Sequence, residues 1–403
     1  MLTKLGQSAE RLSRTLIGGT LPIGLDLGTH AIRAVQLEPQ YGGNEGRPRY
    51  QLRAAVQARR DEPALMENEG PMGHPLRPGL KQLLGRGGFK GRNVIIGLDP
   101  PQLVATTVNL PLHGRSLDDP QIRSALSFEL ARHITCEMAA AEVRAWPLPK
   151  GAGIAPTVMG VAVPRKLVTD LHDLVASVGY ACRRIDAGAC ALARCCTVFC
   201  RPPPDTIWGV LDVGQTTSRL AVVVDGVPVL QRELPTGGSI FTFRVAEGLK
   251  LAPQAAERLK RDYGIAGGYP RLQDARPADD NGDESVASQC RPTEPDQAAD
   301  IPQVPRLVFS AVRRSLISLA VEVEKSMAYA MHLHGDLPVS NLYLAGGGAA
   351  LKGLPEFLSQ EIGIDVKPAD PLTGLSIEHP LAGGDPFCAW ARAFGLALLG
   401  RSD

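Results

Sequence analysis

The chain has 403 residues, enough for two or three domains and more than one buried core. Its 43 Lys and Arg stand against 42 Asp and Glu, and a formal charge of +1 argues against a dedicated nucleic-acid binder or a polybasic membrane surface. A hydrophobic share of 44% excludes a wholly disordered chain, and no apolar run reaches the ~18 residues of a spanning helix.

Residues 1–20 lack the apolar core of a secretory signal. They read as a leader, either frayed or a short amphipathic helix with Leu5, Leu12, Leu16 and Ile17 set among Lys4, Arg11 and Arg14. An intracellular protein keeps its eight cysteines as thiols. Residues 21–27 predict a strand ending in Asp-Leu-Gly-Thr, followed by strands over 31–38 and 50–58. Residues 61–79, rich in Pro, Gly and charge, predict a loop, and 93–98 and 103–110 two more strands. Over 119–133, Ile122, Leu126, Leu130 and Ile134 recur at helical spacing. A buried strand over 157–163 and helices over 166–178 and 187–199 follow, and Arg201-Pro202-Pro203-Pro204 breaks the pattern as a domain boundary.

Beyond that break the opening theme returns. A strand over 207–211 ends in Asp212-Val213-Gly214-Gln215-Thr216-Thr217, and strands over 220–224 and 227–234 are joined by Asp225-Gly226. Two copies of strand, Asp-x-Gly turn, strand predict a duplicated domain with a site between the copies. Residues 264–304 are poor in large apolar side chains and predict a mobile insertion. A long helix over 306–332, a strand over 341–344 running into Ala345-Gly346-Gly347-Gly348, and helices over 354–362 and 386–399 complete the chain.

The two Asp-x-Gly turns carry the chemistry. Backbone amides at such a turn hold phosphate oxygens, and Gly28 and Gly214 allow close approach. Asp26 and Asp212 cannot face phosphate without a counter-ion, and a hydrated magnesium ion between them supplies one. Thr29, Thr216 and Thr217 add hydroxyl donors, with Arg33 on the second strand a further candidate. The triplet Gly346, Gly347 and Gly348 permits approach to a flat ring or a phosphate. Glu257 and Lys260 share one helix face, where the carboxylate can accept from ribose hydroxyls while the lysine stem packs on a base. Cys182, Cys190, Cys195, Cys196 and Cys200 crowd together at irregular spacing and read as buried thiols rather than a zinc site.

As a set, Asp26…Gly28-Thr29, Asp212…Gly214-Gln215-Thr216-Thr217 and Gly346-Gly347-Gly348 resemble the two phosphate motifs and the adenosine motif of the actin-like ATPase superfamily. Within it the chain resembles the PilM family of type IV pilus assembly proteins, relatives of FtsA. The segments that carry this narrower likeness are 124–130, 161–164 with 178–186, and 235–238 with Glu257 and Lys260. The resemblance implies an α/β, actin-like (ribonuclease H-like duplicated) two-lobed fold. Lobe I would span 21–200, with a small inserted subdomain at about 101–163, and lobe II 205–403, with a nucleotide subdomain at about 237–330. It implies ATP or ADP with magnesium, held by Asp26 and Asp212 through water, and a weak ATPase at most, with Gln215 placed by position to act on water. His30 stands where a small hydroxyl residue is common, and either crowds the phosphate or adds a donor.

The function implied is that of a cytoplasmic scaffold, peripheral at the inner-membrane face. It would bind the N-terminal tail of a PilN-like single-span protein, with pilus motor ATPases and self-association as further contacts and no nucleic acid. The alternatives are an FtsA-like polymerising division protein, a pseudo-ATPase scaffold of a secretion system, and a sugar or acetate-type kinase.

Overall fold

The computed structural model describes residues 20–40, 49–60, 76–110, 112, 114–151, 157–267, 303–335, 337–376 and 386–401. The leader expected at 1–20, apart from Thr20, and all but the ends of the insertion expected at 264–304 lie outside them.

In chain order the first half contains β1 (Ile23–Leu27), β2 (Ala31–Gln40), β3 (Arg49–Arg59), α1 (Arg77–Arg86), β4 (Asn93–Leu98), β5 (Val104–Val108), α2 (Pro120–Leu130), β6 (Ala141–Pro147), β7 (Val158–Pro164), α3 (Arg165–Ser177), β8 (Ala181–Ala187) and α4 (Gly188–Cys195). The second contains β9 (Ile207–Val213), β10 (Ser218–Val224), β11 (Val227–Leu234), α5 (Gly238–Leu249), α6 (Pro253–Tyr263), α7 (Gln303–Leu333), β12 (Val339–Ala345), α8 (Leu354–Ile362), β13 (Asp365–Pro368), β14 (Leu375–Ser376) and α9 (Ala391–Ala397).

The two halves repeat one topology. The first sheet has the order β14-β3-β2-β1-β4-β8 and the second β11-β10-β9-β12-β13. In each, the opening strand pairs antiparallel with the next and parallel with a later one. A third sheet, β5-β7-β6, is inserted between β4 and β8 and packs on α2 through Ile122, Leu126 and Leu130. The central strands are buried on both faces, as the apolar run of β9 shows. Helix α7, about 46 Å long at 1.5 Å per residue, turns Val308, Val312, Leu316, Leu319 and Val323 onto the second sheet.

Three differences from the sequence reading have physical causes, two local and one in long-range docking. Of the loop expected over 61–79, residues 61–75 lie outside the described residues and the remainder leads into α1, whose Leu80, Leu83 and Leu84 recur at i, i+3, i+4 and whose Pro78 is tolerated in the first turn. Strand β13 escapes notice because Val366 is its one buried side chain. The chain after residue 370 does not stay with the second half: β14 pairs with β3 of the first sheet, and α9 packs against β1.

That return builds the junction between the lobes. A core of α4 and α9 side chains joins Tyr50 and Leu52 of the first sheet to Trp208 and Val210 of the second. Phe199 sits edge-on to Tyr50 (6.1 Å between ring centroids) and to Phe394 (6.0 Å), each pair worth ~0.5–1.5 kcal/mol beyond area burial. Small residues bring the backbones together. A Cβ on Gly395 would strike the backbone of Ala191, and one on Gly24 would strike Ala393 and Ala397. Among the described residues, no helix is long and apolar enough to cross a membrane.

Substituting Gly395→Leu is expected to destabilise the protein by about 1–3 kcal/mol or more through overpacking at this crossing. A thermal melt unchanged from wild type would show that α4 and α9 do not cross here.

Candidate functional site

Alternation along the opening strands places the two acids. On β1, Ile23 and Leu25 enter the first-lobe core, so Gly24 and Asp26 face the other way, toward α9. On β9, Ile207, Leu211 and Val213 pack under α7, leaving Trp208, Val210 and Asp212 facing the inter-lobe space. Each strand then turns tightly. A Cβ on Gly28 would lie 2.7 Å from the Ala31 carbonyl oxygen, and one on Gly214 2.7 Å from that of Thr217, so both turns require glycine for the same reason. Across the hairpins, Asp26 lies opposite Arg33 and Asp212 opposite Arg219, the same register in both lobes.

The turns are tied to their surroundings. Arg60 donates from Nε to the Gly28 carbonyl (2.8 Å) and from its backbone N–H to His30 (2.9 Å). In the second lobe Gly238 N–H donates to the Gly214 carbonyl (2.9 Å), and Ser239 donates to Gln215. Gly237 packs on the backbone of Thr216 and Thr217.

Between the two acids lies Arg392 of α9. Its Nη2 donates to Asp26 Oδ1 at 2.7 Å, its Nη1 bonds the Asp99 carboxylate that follows β4, and Nη1 lies 3.7 Å from Asp212 Oδ2. Gly188 makes room for Asp99, since a Cβ there would collide with its carboxylate. Burial pushes the Asp212 carboxyl upward, against the charges of Arg392 and Arg219. Burial works against the Arg392 charge, but Asp26, Asp99 and Asp212 together hold that guanidinium well above its ordinary value. Arg60 and Arg219 stand in the fields of Asp26 and Asp212, so three carboxylates meet three guanidiniums. A hydrated magnesium ion between Asp26 and Asp212 does not suit this donor set, because the Arg392 guanidinium stands between them, 2.7 Å from Asp26 and 3.7 Å from Asp212.

At the other end of the cleft Lys260 is buried, and its ammonium donates to the Gly238 carbonyl (3.0 Å), Thr242 Oγ1 (2.8 Å) and Glu257 Oε2 (2.6 Å). The Thr242 hydroxyl in turn donates to Glu257, whose Oε1 accepts from Arg261 Nε at 2.9 Å. Burial lowers the Lys260 pKa despite Glu257. For Glu257, burial is the largest influence and pushes upward. The hydrogen bonds from Lys260 and Thr242 and the charges of Lys260 and Arg261 outweigh it and hold the carboxyl below its usual range. With all three ammonium protons committed inward, Lys260 offers the cleft its stem.

Of the residues expected from sequence, Asp26, Gly28, Thr29, His30, Arg33, Asp212, Gly214, Gln215, Glu257, Lys260, Gly346, Gly347 and Gly348 line one cleft between the lobes. Thr216 and Thr217 do not, their backbone being used to seat Gly237. Arg33 is buried, donates from Nε to Gln57 (2.8 Å) and lies over the Trp390 ring. The three glycines differ. Gly346, at φ 84°, packs on Asp212 and Val213, and Gly348 packs on Val213, whereas a Cβ on Gly347 would meet open space. Sequence reasoning missed Arg392, Asp99, Arg60, Arg219 and Thr242. For Arg392 a signal exists: it is the one charge in an otherwise apolar, small-residue helix, and a charge buried there needs partners.

The fold is actin-like: two lobes of repeated topology with a cleft between them. Along 95% of its length the chain superposes on 99% of a chain in the "PilM-PilN type IV pilus biogenesis complex", with a TM-score of 0.67 and 21% identity. The likeness to PilM expected from the motifs is thus met in the fold. Residues 209–382 match the family described as "Cell division protein FtsA". More distant are the ethanolamine utilization protein EutJ from Carboxydothermus hydrogenoformans (TM-score 0.47, 16% identity, 95% and 91% of the two chains) and MreB5 of Spiroplasma citri bound to ADP (0.44, 11%, 95% and 96%). No curated protein matches the chain in sequence.

Because the folded chain holds Glu257 below its usual range, its ion pair contributes above the ordinary glutamate pKa of about 4.3 and is lost as pH falls through the lower folded value. Unfolding of wild type and Glu257→Gln across pH is expected to differ most near neutrality and to converge under acid. A pH-independent difference would contradict the pairing.

Proposed function

We propose that this chain is a nucleotide-binding scaffold of type IV pilus assembly, taking ATP or ADP between its lobes and the N-terminal cytoplasmic tail of a PilN-like protein elsewhere on its surface. The observation that carries the reading is the superposition on nearly the whole of a chain from the PilM–PilN complex. It is supported by one cleft that gathers both Asp-x-Gly turns, the glycine triplet and the Glu257–Lys260 pair. The turns receive the phosphates, Gly347 faces the base, and Glu257 Oε1 keeps a lone pair for a ribose hydroxyl. Turnover is slow or absent in this reading: Asp26 is engaged by Arg392, and Gln215 alone stands by position to orient water. The scaffold works at the cytoplasmic face of the inner membrane, where nucleotide biases the lobes and the lobes bias the tail-binding surface.

Calorimetry of the purified protein with ATP and ADP tests the cleft. Wild type is expected to bind, and Gly347→Val to lose about tenfold or more in affinity with its melting temperature unchanged, since its Cβ meets nothing within the fold. Equal affinities would remove the base from this position. Coupling is tested by titrating the partner's tail peptide into apo, ADP-bound and ATP-bound protein. Different affinities are expected, and identical ones would sink the link between nucleotide and partner.

A further inference from the structure

We propose that the Arg392 guanidinium is the resident cation of the cleft, standing between the two Asp-x-Gly turns where a divalent ion would sit, so that this site takes no magnesium. Arg392 bonds Asp26 and Asp99 of the first lobe and lies within ion-pair distance of Asp212 of the second. The carboxylates a metal would need are therefore engaged from inside the protein. Magnesium demands near-octahedral geometry and keeps several waters, and the guanidinium occupies that volume. Arginine cannot leave by deprotonation. Nor can it swing away with its helix. Ala393, next in the chain, is pressed against Gly24 of β1, and Gly395 against Ala191 of α4.

Charge leads to the same conclusion. Each acid already has a cation in reach: Arg392 faces Asp26, Asp99 and Asp212, Arg60 stands near Asp26, and Arg219, itself paired with Glu233, near Asp212. A metal that displaced Arg392 would leave a buried guanidinium unpaired, a costly state. Concerning nucleotide, the inference rests on the function proposed above: the phosphates then meet the fixed positive charge of Arg392 in place of a metal ion's.

The experiment has two arms on the full-length protein. In the first, manganese is titrated into nucleotide-free protein and followed by electron paramagnetic resonance. Wild type is expected to give no bound signal that depends on Asp212, and Arg392→Ala and the bulkier Arg392→Gln are expected to gain a bound ion that Asp212→Asn removes. Should Arg392→Ala melt early, manganese is expected to raise its melting temperature and leave that of wild type unmoved. Wild-type manganese binding abolished by Asp212→Asn would overturn the proposal, as would failure of both Arg392 variants, once folded, to take up the ion. In the second arm, ATP affinity is compared in magnesium buffer and in EDTA. A change of less than about twofold is expected, and a loss of about tenfold or more in EDTA would overturn the proposal. If wild type binds no nucleotide in either buffer, the nucleotide reading fails and the manganese arm decides the inference on its own.

Discussion

The structure turns on one buried guanidinium. Arg392 meets three carboxylates that come from β1, from the segment after β4 and from β9, so elements distant in sequence and belonging to both lobes converge on a single side chain. Losing one member of such a cluster is costly, since removing one partner leaves a buried charge uncompensated. Much of the surrounding packing serves to hold it. Gly188 clears space for Asp99, Gly24 lets α9 approach β1, and Arg194 bonds both Asp186 and the Gly395 carbonyl (2.7 Å), fixing α4 against α9.

Around the cluster, the two lobes share a core instead of merely touching. Phe199, Trp390 and Phe394 lie among residues of both sheets and are almost fully buried. Opening the cleft as two separating bodies would expose this apolar surface. The cysteines of the connector belong to the same core: Cys195 and Cys196 are buried, and burial for Cys195, with a hydrogen bond to Cys200 and then burial for Cys196, holds their thiols protonated, which suits small packing groups better than nucleophiles.

Much of the fold was legible because β1 and β9 announce themselves twice. An apolar strand, an Asp, a glycine and a second strand recur with the same internal spacing, and the structure repeats even the close approach of each glycine to a carbonyl. The periodic helices α2, α3 and α7 were readable for the ordinary reason that their buried side chains recur every three or four residues. What escaped was whatever depends on long-range docking. Strand β14 has only two residues, and nothing local tells it to join β3. The placement of α9 depends on the absence of side chains at Gly24 and Gly395. In the site, residue types that carry chemistry in short motifs were found, and Arg392 and Asp99 were not, because their meaning arises only when four separate segments meet. The same holds for the two facing acids: short motifs show that they need a cation, and only the folded chain shows the guanidinium brought to them from its far end.

The contacts of Arg392 are unequal. Toward Asp26 it is a close hydrogen bond at 2.7 Å, on a helix whose backbone is pressed to the strand that carries Asp26; toward Asp212 it is 3.7 Å, across the gap between lobes. The pseudo-symmetry of the two turns is therefore broken at its centre by a residue mounted on one side. Such a mount behaves like a gauge with one end clamped. Small rotations of the second lobe change the Asp212 separation while the Asp26 and Asp99 bonds hold, and Coulomb energy at short range in a poorly hydrated site varies steeply with distance. The electrostatic potential at the mouth of the second turn, and hence the welcome it gives an anion, is tied to how far the lobes are closed.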